Sequence, residues 1–187
     1  MLWNDAFNNK AFLESQISLT NNGVSIYAAA KAGAAKGDAK AKEVMDDMSH
    51  SLWPIGPVGH PTEFHICYPL MVMKYSKVPN ACKAFMAFML EAENYNKWLE
   101  SAVAYLTQPL NAYDANPVWS TDPKLSMLRD VGKRTLTAGG LGSVGEKAAA
   151  ALADFVVLDM VASVCTDRAS IKDAIAVAER QAKRIYR

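Results

Sequence analysis

The chain has 187 residues, 51% of them hydrophobic and 21% charged, with 20 Lys and Arg against 19 Asp and Glu for a formal net charge of +1. This length and mixture suit a globular domain with its own core rather than a disordered segment, and the near-neutral charge, with no basic stripe interleaved with aromatics, argues against a nucleic-acid partner. The longest apolar stretches, 64–73 and 148–164, are too short, or too interrupted by Asp154 and Asp159, to read as a bilayer span of roughly 20 apolar residues.

The opening MLWNDAFNNKAF has neither the basic start nor the apolar core of a signal peptide, so either a cytosolic protein or a piece of a longer chain is expected. Residues 3–14 read as a short helix, and QISLT at 16–20 alternates in the manner of a strand. NNG at 21–23 supplies a turn that tolerates positive φ, after which a helix restarts near Val24. That helix is expected to end at Gly33, and Asp38 to open a second one through AKAKEVMDDMSH, so that 24–50 is a helical pair.

SLWPIGPVGHPTE at 51–63 breaks the helical pattern, since Pro54, Pro57 and Pro61 restrict φ and remove donors. It reads as a loop that presents Trp53. Behind it, Phe64 to Tyr75 is nearly continuously apolar, which predicts a strand buried on both faces, with Pro69 pointing to an edge or a bulge. Ala81, Ala84, Phe85, Phe88 and Met89 recur at helical spacing, and NYNKWLESA looks like a further short helix. The proline-bearing run 105–123 reads as a long surface segment, with a helix following near 124–136.

Two late helices announce themselves by capping boxes, Ser143 with Glu146 and Ser170 with Asp173. The last carries Ile171, Ala174, Ile175, Ala178, Ala182 and Ile185 along one face and is expected to pack by it. Two strands among about seven helices make a poor sheet, because a two-stranded sheet seldom stands by itself.

GLGSVG at 140–145 matches the GxGxxG dinucleotide pattern and leads into a helix, but that reading also needs a preceding strand; a flexible turn before a capped helix is the alternative. His60, His65 and Cys67 have chemistry suited to zinc, yet no fourth ligand has recognisable spacing, and His65 and Cys67 fit the core of the predicted strand. Cys67, Cys82 and Cys165 form no CxxC pair. The chain has three His, and no GxSxG elbow surrounds any Ser, so no catalytic constellation is legible. Tyr27, Trp53, Tyr105, Tyr113 and Trp119 lie in or beside loops, where aromatic faces with neighbouring amides suit a sugar or polyol, although packing is the competing role for each.

The segments WNDAFNNKAFLESQISLTNNGVSIY, PIGPVGHPTEFHICYPLMVMKYSKVPNACKAFMAFML, YLTQPLNAY and ASIKDAIAVAERQAKRIY, in that order, resemble the C-terminal half of family 1 extracellular solute-binding proteins of bacterial ABC transporters. The resemblance implies an α/β, helix-dominated C-terminal lobe of a periplasmic-binding-protein type II fold, with a small, incomplete sheet. It implies that 1–187 is a single domain, the second lobe of a two-lobe protein whose signal peptide and N-terminal lobe are absent here. Asn22, Ser25, Tyr27, Trp53, Glu63 and Ser143 become the implied ligand contacts, Trp53 by stacking. The implied partners are a sugar-like solute, the membrane subunits of an ABC permease and the missing lobe, with a periplasmic parent, no cofactor, no metal and no chemistry on the solute. Two alternatives remain: a cytosolic enzyme using a nucleotide at the glycine run, and an interaction module pairing its sheet edge with a second copy.

Overall fold

The computed structural model describes residues 6–63, 68–134, 136, 142 and 145–187. These fall into two compact units, one from Met1–Pro54 and Tyr68–Arg134, the other from Ile55–Cys67 and Thr135–Arg187. Helices dominate both.

In the first unit α1 (Phe7–Leu13), α2 (Ser25–Ala35) and α3 (Ala39–Asp47) follow one another closely. Asp38 caps α3 as its sequence predicts, accepting from the backbone N–H groups of Lys40 and Ala41. Gly33 does not end α2. It lies inside the helix, where a Cβ would come within 2.7 Å of the Ala41 Cβ, so its missing side chain is what lets α2 and α3 approach. At the far end of α3, Lys124 Nζ donates to the carbonyls of Met45 and Asp46, placing a cation where the helix leaves its carbonyls unpaired.

The unit continues with α4 (Pro79–Leu90), α5 (Ala92–Ser101), α6 (Val118–Thr121) and α7 (Val131–Arg134). The run 105–123, predicted to be surface, supplies the core instead: Tyr113, Val118 and Trp119 are buried beside Tyr27, Tyr95, Leu99 and Leu125. Its irregular backbone tolerates burial because side chains satisfy the polar groups. Asn116 donates to Asn96 and Glu100 and accepts from the Val118 N–H, while Trp119 Nε1 donates to Gln108 at 2.8 Å. Tyr95 and Tyr113 stack with centroids 4.3 Å apart, and burial pushes the Tyr95 hydroxyl up to about 12. The single helix predicted near 124–136 is divided into a 3-10 turn at Ser126–Leu128 and the short α7.

The second unit holds α8 (Glu146–Ala153), α9 (Val156–Cys165) and α10 (Ile171–Ile185). Ser170 caps α10 as predicted, accepting from the Asp173 N–H while its hydroxyl donates to the Asp173 carboxylate. The packing face of α10 is narrower than its apolar pattern: Ala174 and Ala178 are buried, whereas Ile171 and Ile175 are exposed. By length and mean hydropathy, 1.9, Glu146–Cys165 does meet the measure of a membrane span, contrary to the sequence reading. Two helices share that stretch, however, because Phe155 adopts the left-handed conformation (φ 52°) between α8 and α9.

Among the described residues there is no strand. The strand predicted at 16–20 is irregular backbone, and 17–22 form no backbone–backbone hydrogen bond. The strand predicted from Phe64 to Tyr75 lies partly outside the described residues. Its described part, 68–75, is neither strand nor buried: Tyr68, Leu70, Met71, Met73 and Tyr75 are exposed, and 68–72 make no backbone–backbone hydrogen bond. A strand exists through its ladder, and among the described residues no neighbour supplies one.

Candidate functional site

The turn NNG leads into α2, whose first turn receives no side-chain cap among the described residues. Its first N–H groups are orphans of helix geometry. Beside them stands a group of neutral polar side chains. Asn22 Nδ2 donates to Asn9 Oδ1 on α1 at 2.5 Å, and Asn9 Nδ2 donates to Ser25 Oγ at 2.9 Å. Asn22 Oδ1 in turn accepts from the N–H of the next residue, Gly23, at 2.8 Å. Asn22 and Ser25, both predicted site residues, are therefore joined through Asn9. No charged side chain takes part in these bonds.

Trp53 reaches the same turn from the proline-rich segment. Its indole Nε1 donates to Asn21 Oδ1 at 3.2 Å, and the residue remains 53% exposed. An indole whose N–H is satisfied by protein and whose ring faces water is a stacking surface held in place at its polar end.

Tyr27 has a different setting. It is buried on α2, packs edge-on against His50 with centroids 5.7 Å apart, and donates its hydroxyl to Asp122 at 2.7 Å. Lys31 Nζ lies 2.8 Å from the same carboxylate oxygen. Burial raises the Tyr27 hydroxyl well above its ordinary range, and the hydrogen bond to Asp122 adds to the rise. Burial also opposes ionisation of Asp122, but the hydrogen bonds from Lys31 and Tyr27 outweigh it and hold the carboxyl below the usual range. Tyr27 thus serves as the inner support of the α2 segment that carries Ser25.

Glu63 belongs to the second unit, where it is buried and its carbonyl accepts from the Leu136 N–H. Ser143 lies outside the described residues, as do His65, Cys67 and most of the glycine run at 140–145. Gly145, its last member, takes the N-cap position of α8 in an extended conformation. Of the remaining loop aromatics, Tyr113 and Trp119 are core and Tyr105 is exposed. Among the described residues, no group of three or more His, Cys, Asp or Glu gathers as metal ligands would.

Asn9, Asn21 and Asp122 escaped the sequence reading. Asn is a poor helix former, and Asn9 inside the α1 pattern was the one available signal that its amide has other work. Asp122 meets Tyr27 across 95 positions, a distance at which no local pattern speaks.

A family model described as bacterial extracellular solute-binding protein matches residues 1–127. No curated protein and no solved structure matches the chain.

Proposed function

From the premise that the chain belongs to the bacterial extracellular solute-binding proteins, we propose that it supplies one wall of a cleft for a carbohydrate or related polar solute. The wall is the turn before α2 with Trp53 beside it. In this reading the chain is the C-terminal lobe of a two-lobe, type II periplasmic-binding-protein fold, and the parent delivers solute to the membrane subunits of an ABC permease from the periplasm. No covalent chemistry on the solute is involved.

The observation that carries the proposal is the juxtaposition of an exposed, tethered indole with uncharged amide and hydroxyl groups at the uncapped start of α2. A sugar presents apolar C–H faces and hydroxyl oxygens, and these are the surfaces that an aromatic face and a set of N–H and O–H donors complement. Glu63, Tyr27 and Ser143 remain in the proposal as implied contacts. Tyr27 is the weakest of them, because its hydroxyl is already committed to Asp122.

The test is a melting-temperature screen of the whole chain against mono- and disaccharides, amino acids and ATP, since a solute that binds the native state raises the midpoint in proportion to its occupancy. A rise confined to saccharides or polyols supports the proposal. A rise with ATP alone contradicts it and restores the nucleotide reading.

A further inference from the structure

We propose that Asn9 is a positioning residue of this site and that it fixes which kind of atom the site offers its solute. The inference rests on the solute-binding reading above and extends it to a residue that no motif marks.

The Asn9 carboxamide is used at both ends. Its oxygen accepts from Asn22 and its amide donates to Ser25, so one side chain on α1 sets the positions of two on the turn and the start of α2. The direction of the second bond has a chemical consequence. A serine hydroxyl that accepts from an amide keeps its own hydrogen free, and the Ser25 hydroxyl donates to no described residue. The amide oxygens of Asn9, Asn22 and Asn21 each already accept a hydrogen bond, from Asn22, Gly23 and Trp53 respectively. The groups left with no described partner are hydrogens, the Ser25 O–H, the second N–H of Asn22 and the amide of Asn21, while each amide oxygen keeps its second lone pair. The site therefore offers mainly donors and suits a solute that presents acceptor oxygens, such as sugar hydroxyl or ring oxygens.

Replacing Asn9 by Asp keeps the shape and reverses the second bond. An aspartate still accepts from Asn22, but it accepts from the Ser25 hydroxyl as well, turning that hydrogen inward and adding a negative charge. Asn9→Ala removes both bonds.

Two readouts on the whole chain separate the possibilities. The first is calorimetric titration of wild type, N9D and N9A with maltose, sucrose and trehalose as probes. The second is hydrogen exchange at the Gly23 amide, referenced to the Leu99 amide in the core. We expect both variants to bind the best of the three probes at least tenfold more weakly, with the N9D melting temperature unchanged. Gly23 exchange should quicken at least tenfold in N9A and stay as wild type in N9D. An N9D protein that binds the probe as wild type does would overturn the donor assignment, and unchanged Gly23 exchange in N9A would overturn the positioning role. A wild-type chain indifferent to all three sugars counts against the solute reading itself, and the Gly23 measurement then upholds or overturns the role of Asn9 independently.

Discussion

The Tyr27 hydroxyl donates to the Asp122 carboxylate at 2.7 Å, joining two residues 95 positions apart and anchoring α2 to the turn after α6. Lys31, one helical turn further along α2, reaches the same oxygen. The pair holds in place the segment whose first turn carries Ser25.

Removing the donor tests this anchor. Tyr27→Phe keeps the ring against His50 but takes away a hydrogen bond to a charged group, an interaction worth about 1.5–3 kcal/mol. Urea unfolding should show a lower midpoint with an unchanged slope. A midpoint equal to that of wild type would mean that Lys31 and the Lys124 N–H hold the carboxylate without Tyr27.

The same network sets a pH window. Asp122 has a depressed pKa in the folded state, so its contribution is whole above the ordinary carboxylate value of about 4 and is lost as pH falls towards the folded value. Tyr27 is raised, so its contribution is whole below its ordinary 10.0 and is lost only as pH climbs above it. Stability measured by urea titration should hold level between these limits as far as this pair is concerned. Asp122→Asn should make the acid limb shallower, whereas an unaltered limb would assign acid sensitivity to other carboxylates.

Gly33→Ala provides a test of helix packing with an unusual sign. In an exposed helix the change stabilises by about 1 kcal/mol, but here the new Cβ meets the Ala41 Cβ at 2.7 Å. Overpacking should win, lowering stability by about 1–3 kcal/mol. Combining it with Ala41→Gly should recover part of the loss, a coupling expected of touching sites.

How far these features were legible depends on the range of the interactions that make them. Caps are local, and Asp38 and Ser170 do in the structure what their spacing predicts. Gly33 is read from sequence as a helix end because glycine favours that position, yet its role is set by Ala41, which only the folded pair brings near. The apolar stretch 68–75 has the composition of a buried strand, but a strand needs a partner, and among the described residues it has none. The opposite error occurs at 105–123, where prolines suggest surface while Tyr113 and Trp119 are buried, because Trp119 donates to Gln108 and the neighbouring Asn116 donates to Asn96 and Glu100. At the site, the NNG turn and Trp53 could be picked out by composition. The Asn9 link could not, since it depends on how α1 lies beside α2.

Trp53→Ala separates binding from folding. The residue is 53% exposed and makes one side-chain hydrogen bond, so its loss should change stability by less than about 0.5 kcal/mol. Stacking of an indole on the C–H face of a bound solute is worth more, and saccharide affinity should drop about tenfold, measured by calorimetric titration against wild type. Equal affinities would remove Trp53 from the site.

The central claim is that the turn before α2 and Trp53 form a solute-binding wall. Two-dimensional NMR of the 15N-labelled chain, titrated with the saccharide that most raises its melting temperature, tests it most directly. The account predicts shifts gathered at Asn9, Asn21, Asn22, Gly23, Ser25 and the Trp53 indole N–H, with the Tyr113 and Leu99 amides unmoved. Shifts gathered elsewhere, with these six signals still, would contradict it.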